Sequence, residues 1–364
     1  MPYKVLFISN ISEAPFTTIA DRMLVQGLSS MGVDITVITP AVTPETLETE
    51  RSGIKVIYLP IEKKISFRAI KKIRGILREG RFNILHITYG KAATNGILAS
   101  LWLKIKVVAY YGSLSLHWHD PSAYLAFLNP KIDRIICNSE AVSVHVKKQL
   151  PPGRRNRVVK IYRGYDPSWF DTIEPVTRES LRVSPDEFLV CSVGNLRKVK
   201  GIRFLIDSMK FLPQDMKIRI LLVGAGTNSD ETRKMTSETG RPDIFILQGP
   251  VGFSPSYMVP CDLYVQPSLS EGLGRAISEA MCLGKPVIVT DGGGAKEFFA
   301  AGDNGFIVKR GSTEAIAEAI INCYKNRDSL HLTGNKARES MLNEFNNRHT
   351  VFRTYEVYRN LLEG

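Results

Sequence analysis

Short β-branched runs alternate with longer amphipathic stretches along the whole chain. In the first half, apolar runs of strand length fall at 5–9, 34–39, 55–59, 83–87, 107–111, 134–138 and 158–162. Between them, apolar residues at three- and four-residue spacing predict helices, for example over 17–31, 67–79 and 141–149. The pattern then restarts, with strands predicted at 188–193, 217–223, 244–247, 262–265, 286–290 and 305–308, each followed by a helical stretch. Strands alternating with helices form βαβ units, and these build a parallel sheet covered on both faces. The expected α/β architecture is therefore two doubly wound, Rossmann-like domains. Arg163-Gly164-Tyr165-Asp166-Pro167 breaks the periodicity with turn formers, which puts the boundary within 163–175 and the two domains at 1–165 and 166–347. Three helical patterns, 313–325, 328–344 and 348–362, close the chain. Ligands of such sheets bind beyond the carboxyl ends of the strands, so two facing domains predict a cleft between them.

Composition narrows the class. The 364 residues suit two domains, and 44% hydrophobic with 23% charged residues is ordinary for a globular chain. No apolar run approaches the roughly 18–20 residues needed to span a bilayer. The N-terminus leads directly into strand-like Val5-Leu6-Phe7-Ile8 without a signal-peptide pattern. Cys137, Cys191, Cys261, Cys282 and Cys323 are an odd number, far apart in sequence and without a Cys-x-x-Cys pair. That argues against a disulfide framework or zinc ribbon and for a reducing cytosol. The formal charge of +12 is uneven: residues 1–165 hold 24 Lys or Arg against 11 Asp or Glu, and residues 166–364 hold 24 against 25. An excess confined to one domain points to a polyanionic partner for that domain: nucleic acid, an anionic membrane or a phosphorylated substrate.

The most informative segment runs from Pro267-Ser268 through Glu271-Gly272-Leu273-Gly274-Arg275 to Glu279-Ala280-Met281. A strand ends at Gln266, two glycines follow an acid, and a helix is predicted over 275–283. Glycines at a strand-to-helix turn let backbone N–H groups approach an anion at the helix N-terminus. A carboxylate that accepts hydrogen bonds from two vicinal hydroxyls reads a ribose or a hexose, so two carboxylates bracketing an anion site suit a nucleotide-sugar. On spacing alone, an ordinary pair of residues stands beside this reading: Glu271 as a helix cap and Glu279 as a solvated helix position.

The pattern Pro-Ser-x-x-Glu-Gly-x-Gly-x-x-x-x-Glu-Ala-Met resembles the retaining nucleotide-sugar glycosyltransferases of family four, which have the GT-B fold. Gly284-Lys285-Pro286 through Asp291, then Gly293-Gly294 and Glu297, resembles that family's next strand, turn and acid. Val193-Gly194-Asn195-Leu196-Arg197-Lys198-Val199-Lys200-Gly201 resembles its phosphate-binding segment. The likeness is close over the second half and extends only to layout in the first. It implies that Glu279 binds ribose hydroxyls and Glu271 the transferred sugar. Backbone around Gly272, Leu273 and Gly274 would meet sugar or phosphate oxygens, and Lys200 would neutralise the leaving diphosphate. Asn195, Gly249 and Val251 complete the implied nucleotide-sugar set, and residues 348–364 become a last helix that crosses back to the first domain. The family's transfer needs no carboxylate nucleophile. The chain has no Asp-x-Asp, so the reading is metal-independent, with the nucleotide-sugar as co-substrate and no resident cofactor.

Three departures stand out. Asn195 occupies the family's arginine position, and Arg197 is the candidate to supply that charge. The loop Ser9 to Thr17 has no glycine where the family often has several, which also weakens any reading as an ordinary dinucleotide site. Tyr111-Gly112 replaces a frequent His-Gly pair, leaving His117 and His119 as candidates for the histidine near the reacting carbon, beside their reading as plain surface residues. His86 matches another frequent family histidine and equally suits a satisfied core position.

In the first domain, Lys63, Lys64, Arg68, Lys71, Lys72, Arg74, Arg78 and Arg81 share a helical stretch with Ile65, Phe67, Ile70, Ile73, Ile76 and Leu77. A basic amphipathic helix suits an anionic membrane surface, and also an ordinary helix packing its apolar stripe on a sheet. Lys147, Lys148, Arg154, Arg155, Arg157, Lys160 and Arg163 form a second cluster. No zinc finger, RNP-type or helix-turn-helix signature is visible, so nucleic acid is not expected. The expectation is a cytoplasmic, retaining hexosyltransferase at the inner membrane face, using a UDP- or other NDP-sugar for a lipid-linked or surface-polysaccharide acceptor. Its rivals are a nucleotide-sugar epimerase of the same fold and a non-catalytic sugar-nucleotide or polyanion-binding subunit.

Overall fold

The computed structural model describes residues 3–12, 18–88, 90–299 and 302–364. The chain divides into two compact units, Met1–Gly164 with Asn347–Gly364, and Tyr165–Asn346. Sorted by these units, the charge is 27 Lys or Arg against 13 Asp or Glu in the first and 21 against 23 in the second.

Among the described residues, the first unit is built on seven parallel strands: β1 (Lys4–Ile8), β2 (Asp34–Thr39), β3 (Lys55–Tyr58), β4 (Ile84–Ile87), β5 (Lys106–Tyr111), β6 (Arg134–Cys137) and β7 (Val158–Lys160). Their order is β3-β2-β1-β4-β5-β6-β7, with Val5 beside Ile35 on one flank and Ile84 on the other. The helices are α1 (Ile19–Ser30), α2 (Pro44–Arg51), α3 (Phe67–Glu79), α4 (Gly90–Ser100) and α5 (Glu140–Gln149). Side-chain caps fix where several begin: Ser66 accepts from the Ala69 N–H at α3, and Ser139 from Val142 at α5. The pattern over 67–79 matches α3, whose Ala69, Ile73 and Leu77 are buried at every fourth position. Helices α2 and α4 give no strong periodic signal. Only Thr46 and Thr49 of α2 are buried, and α4 is rich in Gly, Ala, Ser and Thr, so neither carries a strong apolar stripe.

The second unit repeats the topology with β8 (Phe188–Val193), β9 (Ile218–Val223), β10 (Phe245–Gly249), β11 (Leu263–Gln266), β12 (Val287–Thr290) and β13 (Phe306–Val308), in the order β10-β9-β8-β11-β12-β13. Its helices are α6 (Ile202–Ser208), α7 (Asp230–Ser237), α8 (Pro255–Met258), α9 (Arg275–Cys282), α10 (Thr313–Lys325) and α11 (Leu330–Asn343). Leu263 and Val265 of β11 face a core shared with α6 and α10. The alternate positions, Tyr264 and Gln266, are equally buried.

The last helix, α12 (Asn347–Leu362), belongs to the first unit. Its Val351, Val357, Tyr358 and Leu361 join Leu24, Val25 and Leu28 of α1 in one buried cluster. Thr350 Oγ1 donates to the Tyr162 carbonyl at 2.7 Å and accepts from the Gly164 N–H at 2.8 Å.

Candidate active site

The predicted chemistry gathers at the carboxyl ends of β8 and β11. A short 3-10 turn, Lys198–Lys200, follows β8, and the Pro267–Gly274 loop follows β11. Two features lock these loops together. The Leu269 N–H donates to the Val199 carbonyl at 2.8 Å. Gly201, at φ +66°, lies so close to the second loop that a Cβ there would stand 1.9 Å from the Pro267 carbonyl oxygen. No other residue fits that left-handed, crowded position. The outcome is an ion pair across 71 residues of sequence: Lys200 Nζ donates to Glu271 Oε2 at 2.7 Å, with both side chains mostly shielded from solvent.

Glu271 is also pinned by its backbone. Its N–H donates to the Gly292 carbonyl and its own carbonyl accepts from the Gly294 N–H, each at 2.9 Å, forming a bridge to the Gly-Gly turn after β12. Gly274, the residue before α9, has φ +102°, and a Cβ would sit 2.5 Å from Ile277 Cδ1 and 3.3 Å from Glu271 Cγ. The glycine lets the chain turn sharply from the acid into the helix. Gly272 and the Leu273 side chain are buried. Among the described residues, no protein acceptor takes the N–H groups of Gly272, Leu273 or Gly274. They are therefore available to an anion or hydroxyl at the start of α9.

Glu279 lies one turn from the end of α9 and is 2% exposed. It is not the solvated helix residue that spacing alone allowed. Its Oε1 is 3.4 Å from Arg275 Nε, and its Oε2 is buried without a hydrogen-bond partner. Burial pushes its carboxyl up to about 7, with Arg275 and Ser254 pulling the other way. A carboxylate oxygen left dry and unpaired costs free energy unless something polar meets it.

The other predicted residues fall in several places. Asn195 follows β8, and its Oδ1 accepts from Arg197 Nε at 3.0 Å; Arg197 is exposed. Gly249 ends β10, where its N–H donates to Thr227 Oγ1 at 3.0 Å and its carbonyl accepts from Gly224 at 2.7 Å, with half-buried Val251 just beyond. His117 and His119 belong to the first unit, where they are exposed and stacked at 5.1 Å. Tyr111 packs edge-on to Phe127 and shares a hydrogen bond with Ser115 Oγ at 3.2 Å. His86 is buried, its Nδ1 2.5 Å from the Tyr358 hydroxyl and its Nε2 unpartnered; burial pushes it down to about 3. Of the loop after β1, residues 13–17 lie outside the described residues, while Ser9 Oγ donates to Asp21 Oδ2 at 2.8 Å and Arg163 pairs with Asp21 Oδ1 at 2.6 Å. Among the described residues, no group of three or more His, Cys, Asp or Glu is placed to hold a metal ion, and no helix is long and apolar enough to cross a membrane. A cavity of about 360 Å³ lies at the opposite, amino ends of β8, β11 and β12, away from this constellation.

Two family sequence models match the chain, Glycosyltransferase Family 4 over residues 22–169 and Glycosyl transferases group 1 over residues 174–340. The chain is a family-four glycosyltransferase. It is similar to the uncharacterized glycosyltransferase MJ1178 of Methanocaldococcus jannaschii, at 28% identity over 308 residues, covering 80% of this chain and 81% of that one. It is also similar to the capsular polysaccharide biosynthesis glycosyltransferase CapM of Staphylococcus aureus, at 30% identity over 45% of this chain and 43% of CapM. Among solved structures, Anabaena Alr3699/HepE in complex with UDP-glucose superposes with a TM-score of 0.79 over 98% of this glycosyltransferase and 99% of HepE, at 21% identity. That likeness is one of fold, and the fold is GT-B.

Proposed function

We propose that this glycosyltransferase moves a sugar, with retention, from a UDP-sugar to a lipid-linked or polysaccharide acceptor of the cell envelope, without a metal ion. The observation that carries the reading is the pair of shielded carboxylates on one strand-to-helix segment: Glu271 held by Lys200, and Glu279 with an unpaired oxygen. Glu279 Oε2 accepts the ribose hydroxyls, and the hydroxyl donors offset the cost of its dry, ionised state. Glu271 Oε1 reads the transferred sugar. The Lys200 ammonium has three donors, and with one given to Glu271 the others face the leaving diphosphate. Arg197, tethered at Nε by Asn195, presents its remaining N–H groups as the second cation, replacing the arginine that Asn195 displaces. The N–H groups of Gly272 to Gly274 complete the anion field. Fixed donors and cations at the departing phosphate are the largest rate term available, and here they do the work a divalent ion does elsewhere. The phosphate then takes the acceptor's proton on the same face of the sugar, so no protein nucleophile is required.

HepE's bound UDP-glucose supports the donor class, and CapM's role in capsular polysaccharide biosynthesis supports a surface-glycan acceptor. The charge on the first unit supports an acceptor presented at an anionic membrane. Phe67 is 86% exposed and Trp118 62% exposed, and Lys63, Lys64, Arg68, Lys71 and Lys72 around Phe67 are all exposed. Lys64 lies near enough to Asp120 to help Ser122 hold that carboxyl below its usual range, so the aromatic loop and the basic segment are neighbours. Aromatic side chains among cations match a headgroup layer over an acyl region.

The test is donor turnover by Glu271→Ala, Glu279→Ala and Lys200→Ala, measured as nucleotide release from an accepted NDP-sugar. Each change is expected to lower kcat/KM by about 10²–10³. Unchanged turnover in all three would show that the site lies elsewhere.

A further inference from the structure

Glu271 is the end of a buried hydrogen-bond chain that starts inside the sheet. Tyr264 OH donates to Gln266 Oε1 at 2.6 Å, Gln266 Nε2 donates to Ser268 Oγ at 2.9 Å, and Ser268 Oγ donates to Glu271 Oε2 at 3.2 Å. Tyr264, Gln266 and Ser268 are 0%, 3% and 1% exposed. A strand buried on both faces has no ordinary use for a phenol and an amide on one side, with a buried hydroxyl just beyond its end, because each is costly unless paired.

The direction of the chain follows from its last member. A carboxylate oxygen facing an ammonium only accepts, so the Ser268 hydroxyl must point its proton at Glu271. Its oxygen is then left to accept, which turns the Gln266 amide so that its NH₂ faces Ser268. The Gln266 carbonyl oxygen is in turn left for the Tyr264 proton, at 2.6 Å against 3.5 Å for the Val193 carbonyl, the other acceptor in reach. Burial pushes the Tyr264 phenol well above its ordinary value, so it remains a donor throughout the working pH range. Every proton in the chain therefore points towards Glu271 Oε2, where Lys200 adds a second donor from the opposite loop.

We infer that Tyr264, Gln266 and Ser268 are positioning residues of the donor-sugar site: they saturate and orient Glu271 Oε2 so that Oε1 alone is presented to the sugar being transferred. This rests on the donor reading above, and it assigns function to three residues that touch no substrate. Donors lined up in a low-dielectric interior polarise one another, so the chain holds the carboxylate more firmly than isolated bonds would.

The role separates from a merely structural one because it concerns the sugar and not the nucleotide. Calorimetric titration of UDP and of UDP-glucose, with a GDP-, ADP- and dTDP-sugar panel where UDP-glucose does not bind, is compared for the wild type, Ser268→Ala, Ser268→Thr and Gln266→Leu. Ser268→Ala and Gln266→Leu are expected to weaken NDP-sugar binding or kcat/KM about tenfold or more, leaving affinity for the free NDP within about twofold. Ser268→Thr, which keeps the hydroxyl, should restore most of the loss. Equal loss for the sugar-nucleotide and the free nucleotide would mean a general disturbance of the loop, and would overturn the assignment. Unchanged binding and turnover in Ser268→Ala and Gln266→Leu would overturn it too, with the donor reading intact. A wild-type chain that binds none of these ligands overturns the donor reading itself.

Discussion

Replacing Glu279 by Gln isolates the most unusual electrostatic feature of the site. The Glu279 carboxyl stands at about 7 against an ordinary 4.5 because the side chain is buried. Arg275, half exposed and 3.4 Å from Oε1, and the Ser254 side chain offset the desolvation only in part. The displacement from 4.5 to about 7 corresponds to about 3 kcal/mol, at roughly 1.4 kcal/mol per pH unit. The folded value lies above the unfolded one. The folded state is therefore favoured while the group is protonated, and that advantage is lost as pH rises from about 4.5 through about 7. Gln resembles the protonated acid and does not titrate. Relative to Glu279→Gln, the ligand-free wild type should lose about 1 kcal/mol at pH 5 and about 3 kcal/mol at pH 8. For a unit the size of residues 165–346, the gap in melting temperature should widen by roughly 4–8 °C between those pH values. Differential scanning calorimetry across the range reads this directly. The donor reading adds a second expectation. Ribose hydroxyls donate to the ionised form, so wild-type affinity for an NDP-sugar should rise with pH up to about 7, while Glu279→Gln should be flat. Melting curves of the two proteins that run parallel from pH 5 to pH 8 would refute the reasoning.

In the proposed mechanism Lys200 and Arg197 stand where a metal would at the diphosphate, so transfer activity should survive exhaustive chelation; loss of turnover with EDTA that magnesium or manganese restores would contradict this. Arg197→Ala should cost about 10²-fold in kcat/KM if it is the second cation, and turnover assays showing no change would return that role to Lys200 alone. Co-sedimentation with vesicles rich in anionic lipid should fall several-fold in a Phe67→Ser, Trp118→Ser double variant and vanish at high salt, since each Lys or Arg at such a surface contributes about 1 kcal/mol. Equal pelleting of the wild type with neutral and anionic vesicles would remove the membrane from the account.

Much of the fold was legible because a doubly wound domain repeats a strong signal. Strands buried on both faces, such as β1 and β8, are continuous apolar runs, and α3 shows its stripe plainly. Helices α2 and α4 were not: α2 buries only two threonines, and α4 is packed nearly all round through small residues, so neither shows a one-sided apolar stripe. Family resemblance gives Lys200 and Glu271 separate roles and does not pair them; their contact depends on Gly201 and the Leu269–Val199 hydrogen bond, which no single segment reveals. The state of Glu279 was hidden for the same reason, because spacing on a helix does not tell which face the rest of the chain covers. Tyr264 and Gln266 looked like the unremarked end of a strand; their partners at Ser268 and Glu271 give them meaning. Phe67 has the spacing of the apolar stripe, yet it starts the helix and faces solvent.

The central claim is that the second unit binds a nucleotide-sugar through Lys200, Glu271 and Glu279. Isothermal titration of UDP-glucose and a small panel of other NDP-sugars into the wild type and into the Lys200→Ala, Glu271→Ala and Glu279→Ala proteins tests it most directly. One donor class should bind the wild type at one site per chain, and each variant should weaken it at least tenfold. Wild-type affinity retained in all three variants, or no binding of any donor to the wild type, would contradict the account.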